Sequence, residues 1–231
     1  RRMPWGKGVA HARNLEIQAE AWWPILKSTF VSLTTITSLL WVPVLFGRGI
    51  LYGGMTGATP LIGANYVGWD ESQISSLTAA AGIVAGILCL TLGGWLGDKF
   101  GAKKTAIGWL LAQITMCTVM YFSVPQWGEV ELFFAFVYAW ISLDMLLTVA
   151  CLPISMRLCD AKVAATQFTI YMAISNFGIS FGAFAFSQIE SLGGLPSIFI
   201  VVGAGMSVAL VLLSTVKYPR STKMAAKLEQ E

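Results

Sequence analysis

Six long apolar runs leave this chain few ways to fold: Thr35–Leu61, Ser72–Leu96, Lys103–Phe122, Leu132–Ile154, Val163–Gln188 and Pro196–Val216. A helix needs about 20 mostly apolar residues to cross the hydrocarbon of a bilayer, and backbone exposed to lipid has to satisfy its own hydrogen bonds. The expected fold is therefore an all-α membrane protein with six transmembrane helices. A barrel would require segments of about ten residues with alternating polarity, and these runs are unbroken. Composition agrees, with 56% hydrophobic and 12% charged residues and a mean hydropathy of +0.69. Around the runs we expect a cytoplasmic linker over residues 1–34, a six-helix domain over 35–217 and a cytoplasmic tail over 218–231.

The charges set the expected orientation, because Lys and Arg gather in short loops on the cytoplasmic side. Arg1, Arg2, Lys7, Arg13 and Lys27 precede the first run. Lys99, Lys103 and Lys104 join the second to the third, Arg157 and Lys162 the fourth to the fifth, and Lys217, Arg220, Lys223 and Lys227 follow the last. The opposite loops carry Asp70, Glu71, Glu129, Glu131 and Glu190. Both termini are expected in the cytoplasm, with the lipid bilayer as partner. This asymmetry accounts for the net charge of +3, so no nucleic-acid partner is called for.

The chain opens on Arg-Arg, without Met or a signal peptide, and reads as a piece whose beginning lies elsewhere. Ahead of the first run, AWWPILKSTFVS (Ala21–Ser32) is either an interfacial helix, its Trp22 and Trp23 at headgroup level, or an N-terminal extension of the first span. His11 lies in the polar linker without ligand partners in sequence. Cys89, Cys117, Cys151 and Cys159 show no metal-ligand spacing and read as small packing residues. No cofactor motif is found, and no HExxH, nucleophile elbow or phosphate loop supports an enzyme.

One charged interruption is informative. In GGWLGDKFGAKKT, Gly94, Asp98, Lys99, Gly101, Lys103 and Lys104 fit G-x-x-x-D-[RK]-x-G-x-[RK]-[RK], between the second and third runs. Gly94 would let neighbouring helices approach, Gly101 would permit a tight reversal, and the lysines suit anionic headgroups. The pattern resembles the loop signature of the major facilitator superfamily. That resemblance implies that Asp98 sits against the positive end of another helix and helps hold one conformation.

The likeness extends along the chain. MPWGKG, AWWPILKSTF, GGWLGDKFG and AATQFTIYMAISNFG resemble the C-terminal half of the peptide–acetyl-CoA transporter family, which includes AmpG-type muropeptide permeases. Its most specific segment is ATQF, Ala165–Phe168. The resemblance implies half of a twelve-helix permease, a small-molecule substrate, symport, a bacterial inner membrane, and a missing N-terminal half or second copy of the chain as partner. It also implies two inverted three-helix repeats whose first helices line a central cavity.

Those first helices each hold one deep charge, Arg48 in VLFGRGILYGG and Asp144 in WISLDMLLT. At 1.5 Å per residue each lies about 20 Å into its helix, near the bilayer midplane. Charges there face the protein interior and either pair or meet water and substrate. Two readings stand side by side: a structural ion pair, or a site in which Arg48 binds an anionic group and Asp144 serves as release partner or proton site. Tyr52 and Trp140 lie one turn away and Thr148 follows Asp144. In the fifth run Thr166, Thr169, Ala173, Asn176, Ser180, Ala183 and Ser187 form a small, polar stripe, either a water path or a packing face. Ile170, Ile174, Phe177, Phe181 and Phe184 form a bulky one. Gly82-x-x-x-Gly86 and Gly178-x-x-x-Gly182 suggest close helix packing.

The function expected is that of half a secondary transporter for a small polar or anionic solute, with proton coupling as one mode. The alternative is a membrane assembly or carrier subunit that keeps the fold without transport.

Overall fold

The computed structural model describes residues 23–161 and 163–216. The expectations for His11, Trp22, Lys162, the first basic residues and the tail lie outside the described residues. Among the described residues six helices are long and apolar enough to cross a membrane: α1 (Ile36–Val67), α2 (Glu71–Phe100), α3 (Ala102–Phe122), α4 (Val130–Leu158), α5 (Ala164–Gly193) and α6 (Pro196–Thr215). No strand occurs among the described residues. Most helix ends lie beyond the apolar runs, because hydropathy marks the lipid-facing length while backbone chemistry marks the stop. Gly68, Gly101 and Gly194 close α1, α2 and α5 with φ of 76°, 84° and 71°, values that favour glycine. Asp70 starts α2 through a capping box: its carboxylate accepts from the Gln73 N–H at 2.9 Å, while the Gln73 side chain accepts from the Asp70 N–H at 3.1 Å.

A helix over 23–33 precedes α1 and ends in a turn at Thr34 and Thr35, so the two are separate helices. Single π-helical turns occur at Gly63–Val67, ending α1, and at Cys89–Gly93, inside α2.

The packing carries the repeat. α1 lies along α5 and α2 along α4, α3 packs on α6 and on α4, and α1 packs on α6. Exchanging α1, α2, α3 for α4, α5, α6 maps this set of neighbours onto itself. Since six successive spans alternate in direction, α1 and α4 run oppositely, and the two units are inverted repeats. Consecutive helices within a unit touch little; the units interlock with each other instead.

The α1–α5 crossing is the closest. A Cβ at Gly49 or Gly53 would overlap the backbone of Ser175 or Ile179, and one at Gly178 or Gly182 would overlap that of Phe46 or Ile50. Reciprocal glycines let the two backbones meet, where lipid offers little hydrophobic drive for helices to associate. Gly82 and Gly86 differ from expectation. A Cβ at either meets nothing within 4 Å, so this pair packs against no helix of the described chain. The same holds for Gly94; its neighbour Gly93 is the one turned to α4, 3.3 Å from Val149 Cγ1 by the same measure.

Candidate functional site

Arg48 sits among the glycines of α1 that bring α5 close, and that closeness puts Ser175 within its reach. Arg48 Nη1 donates to Ser175 Oγ at 3.3 Å, and Nη2 donates to Asp144 Oδ2 at 2.9 Å. The bridge is largely shielded, the Arg48 and Asp144 side chains being 14% and 7% exposed. Asp144 stands at the midpoint of Val130–Leu158, and Arg48 is about one turn from the middle of Ile36–Val67. A guanidinium has five N–H donors, and this one keeps some in hand: Arg48 Nε is buried without a hydrogen-bond partner among the described residues.

The neighbours expected on the same faces do assemble. Tyr52 and Trp140 meet with ring centroids 5.7 Å apart, their planes tilted by 57°. Thr148 lies a turn beyond Asp144 and donates its hydroxyl to the Asp144 carbonyl at 2.7 Å, which satisfies the hydroxyl within the helix and keeps it from the charges. A cavity of about 20 Å³ adjoins the pair, lined in part by Tyr52, Gln113, Trp140 and Asp144. Gln113, on α3, and Ser175, on α5, are members of the cluster that sequence reasoning missed.

Asn176 is not brought to the pair. It lies on the exposed side of α5 with Thr166, Thr169, Ala173, Ser180, Ala183 and Ser187, so the stripe singled out in sequence does not pack within the described chain. The packed face is the adjoining one, Gln167, Tyr171, Ser175, Gly178, Gly182 and Phe186. Its spacing of four, four, three, four and four residues was available in the sequence. The bulky stripe is half-buried at Ile170 and Ile174 and exposed at Phe177, Phe181 and Phe184, with Phe46 of α1 against Phe177 and Phe181 at centroid distances of 6.0 and 5.8 Å.

Toward the start of α5 a second polar cluster ties three helices. Gln167 is fully buried; its Oε1 accepts from the Asp160 N–H at 2.8 Å, while Nε2 donates to Leu158 O at 3.3 Å and to Tyr171 Oη at 2.9 Å. Tyr171 Oη also shares a hydrogen bond of 2.8 Å with Ser38 Oγ of α1. Gln167 is the buried polar member of ATQF, and this network gives the segment a structural task.

The charged loop is divided. Gly101 makes the reversal, and Lys103 Nζ donates to Ser214 O at 2.8 Å and Val216 O at 2.6 Å, capping the end of α6. A cation suits the negative end of a helix. Lys99 Nζ lies 4.7 Å from the centroid of the Trp95 ring. Lys104 and Asp98 are exposed, and Asp98 makes no hydrogen bond or ion pair among the described residues. No cluster of three or more metal-ligating side chains occurs among the described residues.

Residues 44–231 match the family model described as Major Facilitator Superfamily. No curated protein and no solved structure matches the chain. The match covers most of the sequence and coincides with six spans packed as inverted repeats, and the chain belongs to the Major Facilitator Superfamily.

Proposed function

We propose that the chain is the C-terminal half of a secondary active transporter and that Arg48 and Asp144 form its substrate and coupling site. Membership in a transporter superfamily supports the class of function. The observation that carries the site is the 2.9 Å bridge from Arg48 to Asp144, which joins the first helix of one repeat to the first helix of the other near mid-depth. An anionic group on the solute takes the guanidinium from Asp144, and the released carboxylate accepts the coupling proton. Release reverses both steps, since Arg48 returns to Asp144 once the carboxylate is ionised again.

The solute class we infer is a muropeptide-like molecule, on the resemblance to AmpG-type permeases, in a bacterial inner membrane with both termini in the cytoplasm. The small, polar face of α5 is exposed, and a Cβ at Gly82 or Gly86 of α2 would meet open space within the described chain. In this reading the complementary six-helix half, or a second copy, covers them and completes the cavity. Proteoliposomes holding both halves should concentrate a labelled muropeptide when a proton gradient is imposed, and this chain alone should not. Concentrative uptake by the monomeric chain would contradict the two-half reading. Stoichiometric copurification with a larger complex, with no uptake in any assembly, would favour the carrier-subunit alternative.

A further inference from the structure

Beside the charge pair two polar atoms are left unused by the ion pair, in residues that line one cavity. Trp140 Nε1 and Gln113 Oε1 are both buried and have no hydrogen-bond partner among the described residues, in side chains that are each 4% exposed. Both side chains line the same cavity of about 20 Å³, and so does Asp144. A buried donor or acceptor left unmatched is costly, and two such atoms in residues that line one cavity point to an occupant. The volume selects it. A water needs at least about 10–15 Å³ of such space and two to four polar partners, and nothing much larger would fit.

We propose that this cavity is a resident water site linking α3 to the charge pair. The hydrogen-bond inventory closes around one molecule: the water accepts from the Trp140 indole N–H and donates one hydrogen to Gln113 Oε1 and the other to Asp144 Oδ1. Asp144 Oδ2 stays with Arg48. Gln113 is then a positioning residue, acting on Asp144 through the water from a helix that carries no charge near this depth. The consequence for transport rests on the proposed function: when Arg48 turns to an anion, the carboxylate keeps one hydrogen bond. The water site itself does not depend on that reading.

Trp140→Phe removes the N–H and keeps an aromatic ring, and Gln113→Leu removes the amide at similar length. With the bridging water, each change should lower the thermal midpoint of the detergent-solubilised chain by ~2–4 °C. The double variant should fall little further than the worse single one, because either change alone breaks the three-way bridge. A cavity without water predicts the opposite sign for Gln113→Leu, since that change of similar length then removes a buried unmatched group; a raised or unchanged midpoint in Gln113→Leu would overturn the proposal. The infrared carboxylate band, assigned by difference against Asp144→Asn, gives a readout that packing alone does not move. A shift of that band in Gln113→Leu is expected, and an unshifted band would overturn the positioning role.

Discussion

Arg48 Nη2 and Asp144 Oδ2 lie 2.9 Å apart, and the bond between them joins the leading helices of two inverted repeats near the middle of their spans. Nothing in the backbone requires a charge at either place. Apolar side chains of similar volume would fill the space without desolvating two ions, and buried pairs replaced in that way often gain stability. The pair's position, Ser175 as a third member and the unmatched Nε of Arg48 suit a site that exchanges partners.

The α1–α5 crossing gives a prediction about stability alone. Gly182→Ala would press a methyl against the Ile50 backbone, and we expect a loss of ~1–3 kcal/mol. Gly86→Ala meets open space and should leave the chain equally stable, or up to ~1 kcal/mol more stable through helix propensity. Thermal unfolding of the two variants in detergent checks the contrast. Reduced association of Gly86→Ala with the complementary half, at unchanged stability of the chain, would place that glycine at the contact between halves.

At the start of α5, Gln167→Leu should cost ~2–4 kcal/mol, because it leaves the Asp160 N–H and Leu158 O without their partner in a buried place. Gln167→Glu should also destabilise, since an ionised carboxylate still accepts from Asp160 but no longer donates to Leu158 O or Tyr171 Oη. Tyr171→Phe should cost less, ~1–2 kcal/mol. Chemical or thermal denaturation in detergent gives all three, and wild-type stability in Gln167→Leu would dissolve the structural account of ATQF.

Within the charged loop, Lys103 and Asp98 should separate cleanly. Lys103→Met removes the cap on α6 and should cost ~1 kcal/mol, while Lys104→Met should stay within about 0.5 kcal/mol of wild type. Asp98→Asn should leave the stability of the isolated chain unchanged. In the assembled transporter it should shift the balance of inward and outward states by ~0.3–1 kcal/mol, through loss of a contact with a helix N-terminus. Cysteine labelling from both sides of the membrane reads that balance, and unchanged labelling would leave Asp98 as loop polarity.

Much of this was legible in the chain because lipid simplifies the code. Apolar length marks the spans, and a charge such as Arg48 or Asp144 stands out where the surroundings are oil. What stayed hidden depends on which side of a helix meets another. On α5 two adjoining stripes both carry small and polar residues at helical spacing, and only the helix opposite decides between them: the glycines of α1 chose Ser175 and left Asn176 outside. Gln113 carries no charge and sits in an ordinary run on α3, so nothing local distinguished it. Gly82 and Gly86 have the spacing of a packing motif and pack on no helix of the described chain, because a motif names a face without naming its partner.

If Arg48 and Asp144 work as a pair in transport, the double neutral variant separates that role from a structural one. Arg48→Gln and Asp144→Asn should each strand a buried charge, lose ~3–5 kcal/mol and abolish uptake. Thermal stability and uptake of a labelled muropeptide would then be measured on the variant carrying both changes, assembled with the complementary half in liposomes. Stability should return to near wild type while uptake stays absent. Wild-type uptake by the double variant, or by either single one, would contradict the paired role.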